Sequence, residues 1–148
     1  MRTLLPLVLL AACSDGTSKQ DASKLYSATS SAITAAQAKA QASTTDTNLD
    51  YTGPCDSEGS VHVAGIDDAM AGTYDLHVTF ANCVSLTRVA LDGDLHWAAT
   101  PTSGTLTGSI SFSDRTTSAS CDLDLTFALS GGSAIYAGTV CGYDIGSF

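Results

Sequence analysis

The side chains in this sequence best placed for chemistry are histidines and aspartates that alternate along extended stretches, a D-x-N-x-D run, and five cysteines. His62, His77 and Asp92 are ligand types that suit zinc or copper, for which imidazole and carboxylate are ordinary donors. A register with His62 opposite His77, followed by one with His77 opposite Asp92, would set the three in a row across neighbouring strands. Strands lie about 4.8 Å apart, so the outer two begin nearly 10 Å from one another and must lean inward to share an ion. A solvated polar face with scattered histidines accounts for the same residues and is the preferred reading. Asp46-Thr47-Asn48-Leu49-Asp50 opens like a calcium loop. Tyr51 then stands where an EF-hand needs glycine, and Ser57 where it needs its closing carboxylate. Asp122 and Asp124 alternate on one strand, where surface solubility explains them. The chain has no G-x-S-x-G, no H-E-x-x-H, no P-loop and no dinucleotide fingerprint. Neither an enzyme nor a cofactor is expected.

Any such site has to be carried by the elements around it. Asp21 to Ala42 predicts a helix: it has eight alanines and no Gly or Pro, with Ser18 three residues ahead of Asp21 as a cap. Its apolar face, Leu25, Ala28, Ala32, Ile33 and Ala36, is thin, so the helix is expected to lie against something more apolar. Residues 43–56, with Gly53-Pro54, read as a loop. From Gly59 onward the period is two. In Tyr74-Asp75-Leu76-His77-Val78-Thr79-Phe80 every even position is apolar, as one dry and one wet sheet face require. Six strands follow from this pattern: around Val61 and Val63, Tyr74 to Phe80, Val89 to Trp97, Leu106 to Phe112, Cys121 to Leu129 and Ile135 to Tyr143. Their short links predict an antiparallel meander. The fold class is therefore mainly β (α+β), an amino-terminal helix packed on a six-stranded antiparallel sheet. One small-residue helix does not easily cover such a dry face. The sheet must curl around it into a roll or partial barrel, or leave Leu76, Leu91, Trp97, Ile110 and Leu125 facing a void that suits an apolar ligand. A porin-like barrel is not expected, since closed single-chain examples begin at eight strands and carry aromatic girdles.

The amino terminus addresses location. Arg2 precedes a short apolar run, Leu4 to Ala12, too brief to remain as a membrane-spanning helix. Leu10-Ala11-Ala12-Cys13 resembles the lipobox of bacterial lipoprotein precursors. The resemblance covers about a tenth of the chain and implies a processing route rather than a fold: cleavage after Ala12 and acylation of Cys13. It divides the chain into a signal peptide (1–12), a lipidated tether (13–20) and one helix-plus-sheet domain (21–148). Ser14 follows the cysteine, where an aspartate would favour the inner membrane, so the outer membrane is the expected location. Loss of Arg2 leaves the chain one unit more negative than its formal charge of -9. With so few basic residues a nucleic-acid partner is not expected.

Setting Cys13 aside leaves Cys55, Cys83, Cys121 and Cys141, an even number in an exported chain, which reads as two disulfides. If the Ser130-Gly131-Gly132 turn sets Phe127 opposite Ile135, Cys121 meets Cys141. Cys55 precedes the first strand and Cys83 follows the second, at one end of that hairpin. The expected bridges are Cys55–Cys83 and Cys121–Cys141, and oxidised sulfurs are unavailable as nucleophiles. The sequence thus points to a lipid-anchored envelope protein with a structural or interaction role. A carrier of an apolar ligand, or a metal-binding protein facing the periplasm, are the alternatives. The expected partners are the membrane through its lipid and an envelope protein or apolar ligand.

Overall fold

A computed structural model describes residues 16–84 and 88–148. The helix, α1, spans Lys19–Ser43. It starts where the sequence places its cap: the Ser18 hydroxyl oxygen accepts the Asp21 backbone N–H at 3.1 Å, and the Ser18 hydroxyl donates to the Asp21 carboxylate at 2.6 Å. This satisfies a donor that the first turn leaves open and sets a negative charge at the positive end of the helix. Lys19 and Gln20 are already helical, and Thr17 is buried, its carbonyl accepting from the Tyr143 hydroxyl at 3.0 Å. Cys13 and the apolar run before it lie outside the described residues.

Eight antiparallel strands follow in simple order: β1 (Asn48–Pro54), β2 (Glu58–Asp68), β3 (Thr73–Val84), β4 (Ala90–Ala99), β5 (Ser103–Ser113), β6 (Ser118–Ser130), β7 (Ser133–Val140) and β8 (Tyr143–Asp144). A single 3-10 turn, Ile145–Ser147, ends the chain. The six expected strands are β2 to β7; the two additional ones are the edges. β1 lies inside the stretch read as a loop. Its alternation is real, with Leu49 buried and Tyr51 and Gly53 half-buried, but glycine and polar residues hide it. Pro54, taken as a loop signal, is its last residue, which an edge strand tolerates because no ladder partner needs its missing N–H. β8 is cut from the expected last strand by a turn at Cys141 and Gly142, both at positive φ. The sheet is open, since β1 and β8 pair only with their inner neighbours. Eight strands remove the strand-count argument against a membrane barrel. The face turned away from the helix, however, carries Asp50, His62, Asp75, His77, Asp94, Asp122 and Asp124, where a membrane barrel has an apolar band.

The sheet curls because glycines stand on its concave side. Gly65 pairs with Leu76 and Gly108 with Leu95, at φ of 132° and 144°. A Cβ there would meet the carbonyl oxygens of Asp75 and Asp94 at 2.0 and 2.2 Å. Only glycine lets the neighbouring backbone come so close, and the missing side chain gives the strand room to bend inward. The hollow receives the helix through Ala22, Leu25, Ala28, Thr29, Ala32, Ile33, Ala36 and Ala40, all buried. The helix approaches β1 and β2 at one side of the curl and β7 at the other. The core under it includes Val63, Leu76, Val78, Leu91, Leu95, Ile110 and Leu123, each no more than 2% exposed.

Polar clamps fix the helix at both ends. Lys24 pairs with Asp114 in the β5–β6 turn at 3.3 Å; Lys39 pairs with Asp56 and donates to the Pro54 carbonyl, both at 3.1 Å. Asp67, buried on β2, accepts from the amides of Gln37 and Gln41 at 3.0 and 2.8 Å. Two cysteine pairs stand at disulfide-bonding distance, Cys55 with Cys83 and Cys121 with Cys141, as expected, with Cα atoms 5.5 and 4.8 Å apart. The second forms despite a corrected register. The connection after β6 is a two-residue turn, Gly131-Gly132, both at positive φ, so Phe127 faces Tyr136 rather than Ile135. Cys141, one step past β7 at φ 53°, reaches Cys121 from the turn rather than from the ladder.

Candidate functional site

The helix does not fill the hollow. Between its middle and the end of the sheet that carries the β4–β5 and β6–β7 turns lies a groove of about 340 Å³. Tyr26, Ser30, Ile33 and Thr34 line it from the helix; Trp97, Leu106, Leu125, Thr126, Phe127 and Tyr136 line it from β4 to β7. No charged side chain lines it among the described residues. Its size lies at the lower end of the range of small-molecule sites, and its walls are of the usual kind, mostly apolar and aromatic with a few hydroxyls.

The pleat positions these groups. Alternation places Trp97, Leu106, Leu125 and Phe127 on the concave face, and the Gly131-Gly132 turn puts Tyr136 beside Phe127, ring centroids 6.3 Å apart. Trp97 stacks on Tyr74 with centroids 5.4 Å apart and planes 16° from parallel. Tyr26 and Ser30 come from a helical stripe beside the buried alanines. Tyr26 also meets the ring of the last residue, Phe148, at 6.4 Å. At the rim of the groove Leu129 and Tyr136 are 47% and 58% exposed, so the β6–β7 hairpin extends the apolar surface to solvent.

Of the five concave-face residues expected to face a ligand, Leu76, Leu91 and Ile110 are sealed under the helix and core, while Trp97 and Leu125 line the groove. The curl therefore covers most of the dry face and leaves one end of it open. The sequence shows Leu106 and Phe127 as dry-face residues but gives no means of telling which of them the helix leaves uncovered. Tyr136 is missed because the β7 register is off by one, which reverses its face.

The histidine row is corrected. His62 lies opposite Thr79 and His77 opposite His96, so His62, His77 and Asp92 do not assemble. His62 Nε2 is 2.9 Å from the Asp50 carboxylate on β1. Asp92 is occupied otherwise: it accepts the Asn82 backbone N–H at 2.7 Å where β3 bulges against β4. The calcium reading of Asp46 to Asp50 gives way as well, because Asn48 and Asp50 belong to an extended strand. Asp122 and Asp124 are exposed and lie opposite Ser109 and Thr107. What the fold does bring together on the outer face is Asp75, His77 and His96, their ligand atoms within 4.8 Å of one another. At the opposite side of the domain the Asp114 carboxyl is held well below the usual carboxylate range. The backbone N–H groups of Thr116 and Thr117 donate to it, followed by the Thr116 hydroxyl and Lys24. That group closes the β5–β6 turn and has no reactive neighbour on the groove.

Compared with protein-family models, curated proteins and solved structures, the chain matches none.

Proposed function

We propose that this is a lipid-anchored protein of the bacterial cell envelope, without catalysis of its own, that works by taking an apolar group into the groove between its helix and its sheet. The groove carries the reading: about 340 Å³ of uncharged, aromatic-rich space against the buried core. Burying apolar surface there contributes about 25 cal/mol per Å² removed from water, with no pair of groups needing to be matched. Aromatic rings from β4, β6 and β7 give the walls shape without charge. Cys13 would hold the domain at the membrane, and Ser14 after it suits the outer membrane. With one lipid anchor and three residues between Cys13 and buried Thr17, four residue steps or about 14 Å of chain at full extension, the domain would sit close to the bilayer surface. Among the described residues no helix is long and apolar enough to cross a membrane.

A second reading is a structural or interaction role, in which the groove receives an apolar side chain of an envelope partner. The exposed Leu129 and Tyr136 at its rim favour this. Trp97, the single tryptophan, reports directly on the first reading. Titration with dodecanoate is expected to give a saturable shift of its emission, abolished by Ser30→Phe, which fills the groove from the helix. An emission that does not change, or that changes equally in Ser30→Phe, contradicts the small-ligand reading.

A further inference from the structure

On the convex face, across the sheet from the groove, we infer a divalent-cation site of the zinc or copper(II) class formed by Asp75, His77 and His96. His77 and His96 are directly opposite across β3 and β4, their rings stacked with centroids 4.5 Å apart and planes 13° from parallel. Asp75 is two residues before His77 on the same face and reaches diagonally, its carboxylate 2.7 Å from His96 Nε2. Two imidazoles and a carboxylate are a donor set that zinc and copper(II) accept readily. With metal–ligand bonds of about 2.0–2.1 Å, tetrahedral ligand atoms stand about 3.4 Å apart. Closing from 4.8 Å asks each side chain to move by only about 1 Å. The side chains are free to do so: Asp75 and His77 are exposed, and the His96 side chain is 39% exposed. Across the ladder, Ala64 faces His77 and Ala98 faces Asp75, while Ile66 and Thr107 flank the cluster opposite Asp75 and His96. The fourth position is left to water.

The surroundings supply the second argument. None of the eight strands contains a lysine or an arginine, whereas Asp50, Asp92, Asp94, Asp122 and Asp124 all occupy strand positions. Among the described residues the basic side chains sit on the helix and in loops, so nothing cationic there on this face competes with a bound ion except histidine itself. The wider field therefore attracts a cation, and the one place where two imidazoles converge decides where it stops. His62 with Asp50 makes a superficially similar pair but has no second imidazole, which makes it the internal control.

The test is calorimetric titration of the intact, disulfide-bonded protein with zinc sulfate and, separately, copper sulfate. One ion per chain is expected. His77→Ala, His96→Ala and Asp75→Ala should each weaken binding by more than the roughly 10–100-fold that loss of an outer-shell partner costs. His62→Ala and Asp92→Asn should bind as the parent does, and circular dichroism should show every variant folded. Absence of binding by either ion, binding that survives loss of both His77 and His96, or binding lost in His62→Ala overturns the assignment. Metal binding is read by heat and dodecanoate binding by the Trp97 emission of the parent protein, so failure here and failure of the groove reading are separately visible.

Discussion

Removing the Cys121–Cys141 bridge is the sharpest perturbation of the fold, because the residues it joins are close in sequence yet lie at the end of the curl. With a sequence separation of 20 the closed loop withdraws chain entropy from the unfolded state worth about 3.3 kcal/mol at 25 °C. Cys55–Cys83, at a separation of 28, gives about 3.6 kcal/mol by the same relation. The two bridges should therefore count nearly equally, although one ties the β1–β2 connection to β3 and the other ties β6 to the turn before β8. For a domain of this size each kcal/mol moves Tm by roughly 3–5 °C, so Cys121→Ala/Cys141→Ala should melt about 10–15 °C below the parent. Urea unfolding followed by Trp97 emission supplies the free energy. At a slope of ~1.5 kcal/mol/M the midpoint should fall by about 2 M. A loss below about 1 kcal/mol would refute the reasoning, since the last strands would then be held by packing and ladder bonds alone.

Further outcomes follow from single sites. Leu25→Ala removes a fully buried leucine from the helix face and should cost about 2–5 kcal/mol in urea unfolding, as a cavity under the helix has little freedom to collapse. Gly108→Ala should cost about 1–3 kcal/mol by the same measurement, because its φ of 144° and the Asp94 carbonyl 2.2 Å from the new Cβ both oppose it. Gln41→Ala deprives the buried Asp67 carboxylate of a donor and should cost about 1.5–3 kcal/mol. For Asp114 the folded-state value is depressed below 3.8, so its contribution is present above that pH and is lost as pH falls through the folded value. Asp114→Asn should therefore be less stable than the parent at neutral pH and show a shallower loss of stability below about pH 4, read from urea midpoints across that range.

The alternation of β2 to β6 is legible because each of these strands has one buried and one solvated face, and that contrast fixes which residues point inward. It does not fix which inward residue faces which. Shifting a hairpin by two residues leaves both faces unchanged, so pairing His62 with His77 or with Ala81 satisfies the same hydrophobic pattern. The observed partners, Thr79 for His62 and His96 for His77, are set by loop length and by the bulge at Asn82, neither of which leaves a clear mark in composition. For that reason the pattern alone joins His62, His77 and Asp92, whereas the fold joins Asp75, His77 and His96. In β7 even the parity is ambiguous: Ile135 and Ala137 offer one apolar face and Tyr136 and Val140 the other. The turn decides, two glycines at positive φ making the two-residue connection that turns Val140 inward. The groove was legible only as a surplus, more dry-face side chains than one alanine-rich helix can cover. Which end remained open depends on how the helix leans across the curl, a matter of three-dimensional packing rather than of any local pattern.

The proposed anchoring through Cys13 and the proposed use of the groove are tested together by native mass spectrometry of the protein extracted from membranes. The expected mass begins at Cys13, carries added acyl chains, lacks four hydrogens for two bridges, and includes an apolar ligand released on activation. A polypeptide that begins at Met1, bears no lipid and retains four reduced thiols besides Cys13 would contradict the proposal.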